Sequence, residues 1–338
     1  MSLESIHVVV AVPVESQLLE MLSAISPRIR ISVLPPDGGK ANESALNQCE
    51  VLYTLSYLPE PELVPRLRWV QAYSAGIDTM LTHPLFAGEV ALCTASGLHT
   101  IAMPEFAMMA LLALARKLPL LLDNQRQALW PRDSFNRFTP RELHGSTLGI
   151  VGYGSIGRQI ARLAKSFGMR ILAMKRQPTV AVDPDYTVAG LGDPEGALPD
   201  HIYSPSELLL FLAVCDFVVL VVPLTPETHH LIDAEALAAM KREAFLINLA
   251  RGEVVDADAL IGALKAGRIA GAWLDVFEQE PLPSDSPLWH TPNLVISPHI
   301  SGASAHFGAR SAAVFAENLR RYLQGEPLLN RVDKQRGY

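Results

Sequence analysis

Thr147-Leu148-Gly149-Ile150-Val151-Gly152-Tyr153-Gly154-Ser155-Ile156-Gly157 decides the fold. An apolar run passes directly into glycines at 152, 154 and 157, and Arg158 to Phe167, of helix-compatible composition, follows before Gly168 stops it. Strand, glycine turn and helix in that order begin a βαβ unit. Glycines at those positions let backbone approach a pyrophosphate at a helix N-terminus, where free N–H groups and the helix dipole favour an anion. Gly152, Gly154, Ser155, Ile156 and Gly157 are therefore candidate residues for binding a dinucleotide.

The next apolar run, Arg170 to Met174, should be the second strand, and it ends at Lys175-Arg176. A carboxylate at this point would accept the ribose 2′-hydroxyl of NAD, whereas two cations attract the 2′-phosphate of NADP. No acid stands there, and neighbouring Met174 and Gln177 supply none, so the expectation is NADP(H) in preference to NAD(H).

Further strand-like runs follow at Phe217 to Val222, Ala244 to Leu249, Ile269 to Phe277 and Leu294 to Ile296. With the two strands already placed they predict a six-stranded doubly wound parallel sheet. Gln177 to Pro205, rich in Pro, Gly and Asp, reads as an excursion or surface loop. Just beyond the last three strands stand Arg251, in Asn248-Leu249-Ala250-Arg251-Gly252, then Glu280-Pro281, then His299, in Ser297-Pro298-His299. Taken singly, these are a solvated charge, a turn residue and a structural histidine. Stationed together where an open α/β sheet meets its ligand, a cation, a carboxylate and an imidazole read as an active site.

Towards the N-terminus, Ile6 to Ala11, Ile29 to Leu34, Val51 to Leu55, Trp69 to Tyr73 and Val90 to Thr94 predict a smaller parallel α/β domain. Pro104 should open a long apolar helix reaching about Leu118, followed by the polar stretch Asp123 to Glu142. Ala305 to Gln324 has helical spacing and stops at Gly325.

At 338 residues, 49% apolar and 19% charged, the chain should form two domains around separate cores. A formal charge of −7 with no dense Lys/Arg run argues against a nucleic-acid or anionic-membrane partner and favours a small molecule. Cys49, Cys93 and Cys215 lack CxxC spacing and read as buried thiols of a cytoplasmic protein. Leu208 to Leu224 contains Asp216 and Pro223 and falls short of the ~20 apolar residues of a membrane span. Met1 to His7 carries no evident export signal. His229-His230 has no further ligand at metal spacing, so no metal is expected.

In combination, Leu143 to Gly157, Val222 to Thr228, Asn248 to Asp256, Leu274 to Pro281 and Ser297 to Gly302 strongly resemble the D-isomer-specific 2-hydroxyacid dehydrogenases, and a weaker match covers nearly the whole chain. The resemblance implies two Rossmann-like doubly wound domains, with the cofactor domain (118–302) inserted into a substrate domain (1–117 plus 303–338). It implies that Arg251 holds the substrate's carboxylate and carbonyl oxygen, that His299 is the acid/base and that Glu280 supports it. Ser74, Ala75 and Gly76, within Tyr73 to Asp78, resemble the loop that binds the carboxylate. Pro223, Thr228 and Ala250 fall at cofactor-contacting positions, Asp275, closing its strand, reads as a structural or nicotinamide-site residue rather than the acid/base, and a homodimer is implied, with Asp123 to Glu142 as an arm to the partner. The Lys175-Arg176 pair, the long excursion and Ala102-Met103-Pro104-Glu105 depart from the usual pattern.

These residues suit the reduction of a small 2-keto acid, glyoxylate or hydroxypyruvate among the candidates. As hydride reaches C2, negative charge grows on the ketone oxygen; a guanidinium stabilises it and an imidazolium supplies the proton. Free histidine titrates near pH ~6.5, so a carboxylate partner favours the charged form, and Glu280 is the candidate over Glu278. Formate dehydrogenases resemble the same family but have Gln where Glu280 stands. The alternative is a dinucleotide-sensing corepressor, which resembles the enzymes at the same three residues.

Overall fold

The computed structural model of the chain describes residues 5–13, 16–39, 43–77, 80–179, 186 and 188–334. Asp78 of the expected substrate loop, and residues 180–185 and 187 of the excursion, lie outside them. The chain divides into two compact units, Met1–Leu98 with Ser304–Tyr338, and His99–Ala303.

The first unit begins with β1 (Ile6–Ala11), α1 (Ser16–Ser23), β2 (Ile29–Val33), α2 (Glu43–Gln48), β3 (Val51–Thr54), β4 (Trp69–Ala72) and β5 (Ala91–Cys93). Its strands form a parallel sheet in the order β2-β1-β3-β4-β5. Val9 and Val8, successive residues of β1, enter different apolar clusters. That is the period-two signature of a strand buried on both faces, and it explains the unbroken apolar runs.

The second unit comprises α3 (Ala102–Ala115), α4 (Leu118–Arg126), α5 (Ser134–Phe138), β6 (Thr147–Val151), α6 (Ser155–Ser166), β7 (Arg170–Met174), β8 (His201–Tyr203), α7 (Leu208–Val214), β9 (Phe217–Leu220), α8 (Ala234–Ala239), β10 (Phe245–Asn248), α9 (Ala257–Lys265), β11 (Gly271–Leu274) and β12 (Leu294–Ile296). Its parallel sheet runs β12-β11-β10-β9-β6-β7-β8, with the chain turning away in opposite directions from β6. This is the doubly wound order, and its switch point at the carboxyl ends of β6 and β9 is where such folds take a ligand. Alternation again distributes the side chains: Leu172, Met174, Val218 and Leu220 enter one core, and Ile171, Ala173, Phe217 and Val219 the other.

The sheet has seven strands where the sequence predicts six. The additional strand, β8, lies inside the stretch read as a loop, and its three residues pair with Leu172, Ala173 and Met174. Three residues cannot show alternation, and Gly196, Pro199 and Asp200 before them with Pro205 after them masked them. α3 starts at Ala102, two residues before Pro104. Proline is tolerated there because the first four N–H groups of a helix have no intrahelical acceptor. The sequence boundary at residue 117 grouped this helix with the first unit, whereas it packs on α6, β10 and β11 of the second.

The last helix, α10 (Phe307–Gln324), returns to the first unit and ends at Gly325, whose φ of 73° gives the expected left-handed stop. Phe315 stacks on Tyr53 at 4.3 Å between ring centroids, and buried Asn318 donates to Gln71 Oε1 at 2.9 Å. The three cysteines are buried and unpaired in disulfides, and burial pushes their thiols up to about 12. No helix among the described residues is long and apolar enough to cross a membrane.

Candidate active site

The turn between β6 and α6 owes its shape to its glycines. Gly152 has φ 101°, and a Cβ on it would lie 2.6 Å from Val221 O; a Cβ on Gly157 would lie 2.1 Å from Gly152 O. Only hydrogen fits at either place, which allows the helix to start tightly against the strand. Gly154 caps α6 without a side chain, and no acidic residue occupies the helix's first turn. The N-terminus thus combines bare backbone with positive dipole, and it suits the anionic pyrophosphate of a dinucleotide.

β7 runs beside β6, and Gly152 N donates to Met174 O at 3.0 Å, so Lys175 and Arg176 leave the sheet next to this turn. Lys175 is half-buried and Arg176 exposed. After β9, Pro223 and Thr228 lie in one closed turn: Thr228 Oγ1 donates to Pro223 O at 2.8 Å and accepts from Thr225 N at 2.8 Å. Glu227, in the same turn, is held below the usual carboxylate range by a hydrogen bond with Thr225, by its own backbone and by the charge of Arg176. The fold therefore brings an acid towards Arg176 that no local sequence window contains.

Arg251 is set by the residue that ends β10. Asn248 is fully buried; its Oδ1 accepts from Ala250 N at 3.0 Å and its Nδ2 donates to Arg251 O at 2.8 Å. This amide clamp fixes the backbone that bears the guanidinium. Gly252 follows, and a Cβ there would lie 1.9 Å from Phe277 C and 2.2 Å from Glu278 N. Backbone-to-backbone packing of this kind requires glycine, and it presses the Arg251 turn against the segment that leads to Glu280.

His299 and Glu280 meet directly, with Nδ1 to Oε2 at 2.7 Å, while Glu280 Oε1 accepts from Phe277 N at 3.0 Å. Since a carboxylate only accepts, Nδ1 is the donor and Nε2 is the nitrogen available for proton exchange. Glu278 instead pairs with His230 at 3.1 Å, so the two nearby carboxylates have separate partners. His299 itself has φ 53°, an uncommon conformation for a side-chain-bearing residue.

Asp275, expected as a structural or nicotinamide-site residue, holds that conformation. It is fully buried; Oδ1 accepts from Ser297 Oγ at 2.6 Å and Ile300 N at 3.0 Å, and Oδ2 from Ser301 N at 2.8 Å. Its backbone oxygen takes His299 N at 2.8 Å, and Trp273 Nε1 donates to Ser297 Oγ at 2.9 Å. Both Asp275 oxygens thus serve the turn that carries His299.

His99 belongs to the same surroundings. Burial, joined by the charges of Arg251 and His299, holds its imidazole below the ordinary histidine value, although the backbone of Gly302 works the other way. Its ring packs so closely on Gly302 that a Cβ there would lie 2.8 Å away. In the first unit, Ser74 Oγ donates to Gly76 O at 2.9 Å, and Ser74 O accepts from Ala95 N at 3.0 Å, which fixes the turn that includes Ala75. Among the described residues no group of His, Cys, Asp and Glu has the arrangement of a metal site.

Sequence reasoning overlooked the roles of Asn248 and Ser297. A polar residue closing an apolar strand immediately before a charged turn was the available signal for Asn248.

The family model for the NAD binding domain of D-isomer specific 2-hydroxyacid dehydrogenases matches residues 108–301. The chain is 38% identical over 308 residues to a glyoxylate reductase of Korarchaeum cryptofilum, covering 89% of this chain and 87% of that one. A D-isomer specific 2-hydroxyacid dehydrogenase from Xanthobacter autotrophicus Py2, solved with NADPH and MES, is similar with TM-score 0.80 and 30% identity, covering 99% and 100% of the two chains. An NADPH-dependent glyoxylate/hydroxypyruvate reductase from Sinorhizobium meliloti, solved with NADP and sulfate, is similar with TM-score 0.78 and 26% identity over 98% and 99%. With this doubly wound sheet and these relatives, the chain belongs to the D-isomer specific 2-hydroxyacid dehydrogenase family and is an NAD(P)-dependent oxidoreductase.

Proposed function

We propose that the protein reduces a small 2-keto acid, glyoxylate or hydroxypyruvate, with NADPH in preference to NADH. The observation that carries this reading is the 2.7 Å contact between His299 and Glu280, on a segment packed against the Arg251 turn through Gly252. Names of relatives support the substrate class, and Lys175-Arg176 supports the choice of cofactor.

In this reading the bound nicotinamide supplies a hydride to C2. Arg251 binds carboxylate and carbonyl oxygen, and its fixed charge stabilises the negative charge that develops there. His299 gives a proton from Nε2 to that oxygen, while Glu280 holds Nδ1 and sets the orientation of the ring. Asn248 and Asp275 fix the two backbone turns that present these groups. Ser74, Ala75 and Gly76 of the first unit bind substrate carboxylate through backbone N–H groups, which makes that unit the substrate domain. Gly152, Gly154, Ser155, Ile156 and Gly157 receive the pyrophosphate, Lys175 and Arg176 the 2′-phosphate, and Pro223, Thr228 and Ala250 border the cofactor.

The same proposal includes a cytoplasmic homodimer joined through the 123–142 arm. Trp130 and Phe135, 88% and 92% exposed, support the arm, because large apolar side chains this bare are suited to burial by a partner. Light scattering after deletion of residues 124–139 should show a monomer, and a stable dimer would exclude the arm. The functional test is turnover of glyoxylate and hydroxypyruvate with each cofactor; no turnover of either would reject the substrate assignment.

A further inference from the structure

The described part of the excursion between β7 and β8 folds back onto the glycine turn. Tyr153, the residue between Gly152 and Gly154, is 2% exposed and donates its hydroxyl hydrogen to Asp193 Oδ2 at 2.7 Å. Asp193 also accepts from Ala197 N at 3.0 Å and Leu198 N at 2.9 Å, so its carboxylate organises its own loop while holding the tyrosine. α6 holds the same loop from its buried face: Gln159 Oε1 accepts from Gly192 N at 2.6 Å, and the Arg158 guanidinium, 5.1 Å from the Tyr153 ring centre, donates to Asp193 O. Burial works to raise the Asp193 carboxyl, but hydrogen bonds from Tyr153, Leu198 and Ala197 and the Arg158 charge outweigh it and hold the group below the usual range.

A turn bounded by two glycines has more backbone freedom than one built from side-chain-bearing residues, and freezing it when a ligand arrives opposes binding. Tyr153 is the one side chain between those glycines, and its far end is fixed by a charge-assisted bond. We propose that Asp193, acting through Tyr153, is a positioning residue for the cofactor, holding the glycine turn in the form that receives a pyrophosphate. The 192–198 part of the excursion is then part of the dinucleotide site although the chain leaves the sheet beyond Arg176. This inference rests on the reading that the β6–α6 turn carries the pyrophosphate.

The test measures dissociation constants of NADPH and NADH by nucleotide fluorescence and of ADP-ribose by calorimetry, with thermal melting in parallel. Ser155→Asp, which places a carboxylate in the first turn of α6, serves as the control for the turn. Tyr153→Phe keeps the ring and removes only the hydroxyl, so it tests the link even if Asp193→Asn fails to fold. The expected result is a rise of about tenfold in all three constants for Tyr153→Phe, no further rise when Asp193→Asn is added to it, and kcat at saturating cofactor within about twofold of the parent. Lower melting temperature with unchanged constants would show a structural tie only and overturn the inference. A loss confined to NADPH would overturn it too, because the effect would then run through the 2′-phosphate. If Ser155→Asp binds all three ligands as tightly as the parent, the reading of the turn fails and the inference with it.

Discussion

Glu280 holds His299 at 2.7 Å through one carboxylate oxygen and Phe277 N at 3.0 Å through the other. One side chain thereby ties the imidazole to the segment against which Gly252 packs. The acid/base candidate is thus oriented by contacts outside its own turn, and the Asp275 carboxylate fixes that turn through Ile300 N and Ser301 N.

His299→Asn is expected to lower kcat for keto-acid reduction by about 100- to 10 000-fold, the range for loss of a general acid. Asparagine tolerates the left-handed conformation at this position, so the fold should be retained. Steady-state rates together with thermal melting check both halves; a variant that keeps more than half of the parent kcat would remove His299 from the proton transfer.

Asn248→Ala leaves Ala250 N and Arg251 O without their amide partner in a buried place. The expected loss of stability is about 2 kcal/mol. Because the displaced backbone carries Arg251, kcat/KM for the keto acid should fall as well. Denaturant unfolding and kinetics on the same preparation test this, and full activity at reduced stability would limit Asn248 to a structural role.

Replacing Lys175 and Arg176 with Ala should lower kcat/KM for NADPH by about thirtyfold, equivalent to about 2 kcal/mol of charge-assisted bonding. The value for NADH should move by less than about threefold, since NADH carries no 2′-phosphate. Glu227→Gln should act the other way and favour NADPH, because it removes a negative charge that interacts with Arg176. Equal losses with both cofactors would reject 2′-phosphate binding by this pair.

Asp216 links three parts of the second unit: Oδ2 accepts from Thr147 N at 2.8 Å, and Oδ1 lies 3.0 Å from both Arg141 and Lys241. Burial works to raise this carboxyl, yet the Thr147 and Lys241 bonds and the two cations outweigh it and hold it below the usual range. A carboxyl depressed on folding stabilises the folded state above its unfolded value of about 4, and that contribution disappears as pH falls through the lower folded value. Asp216→Asn should therefore reduce stability at pH 7 by about 2 kcal/mol and progressively less in acid. Unfolding from pH 7 down to about 3 measures it, and a deficit that stays constant would contradict the linkage.

The second sheet and the catalytic candidates were legible because the information is local. β6, the glycine turn and α6 are adjacent in sequence, and Arg251, Glu280 and His299 each follow an apolar run that must end in a crevice. What escaped was long-range or too short to read. β8 has three residues and no room for a pattern. Asp193 meets Tyr153 across a stretch of Pro and Gly, and Glu227 approaches Arg176 from the far side of the switch point. Side-chain polarity shows that such groups need partners, but only the sheet order shows which partners they obtain.

The central claim is most directly tested by initial rates for glyoxylate and hydroxypyruvate with NADPH and NADH, comparing the parent with Arg251→Ala. The account predicts turnover that favours NADPH and a fall in kcat/KM of about 100-fold or more on loss of the guanidinium. A parent that turns over neither acid, or an Arg251→Ala variant as active as the parent, would contradict it.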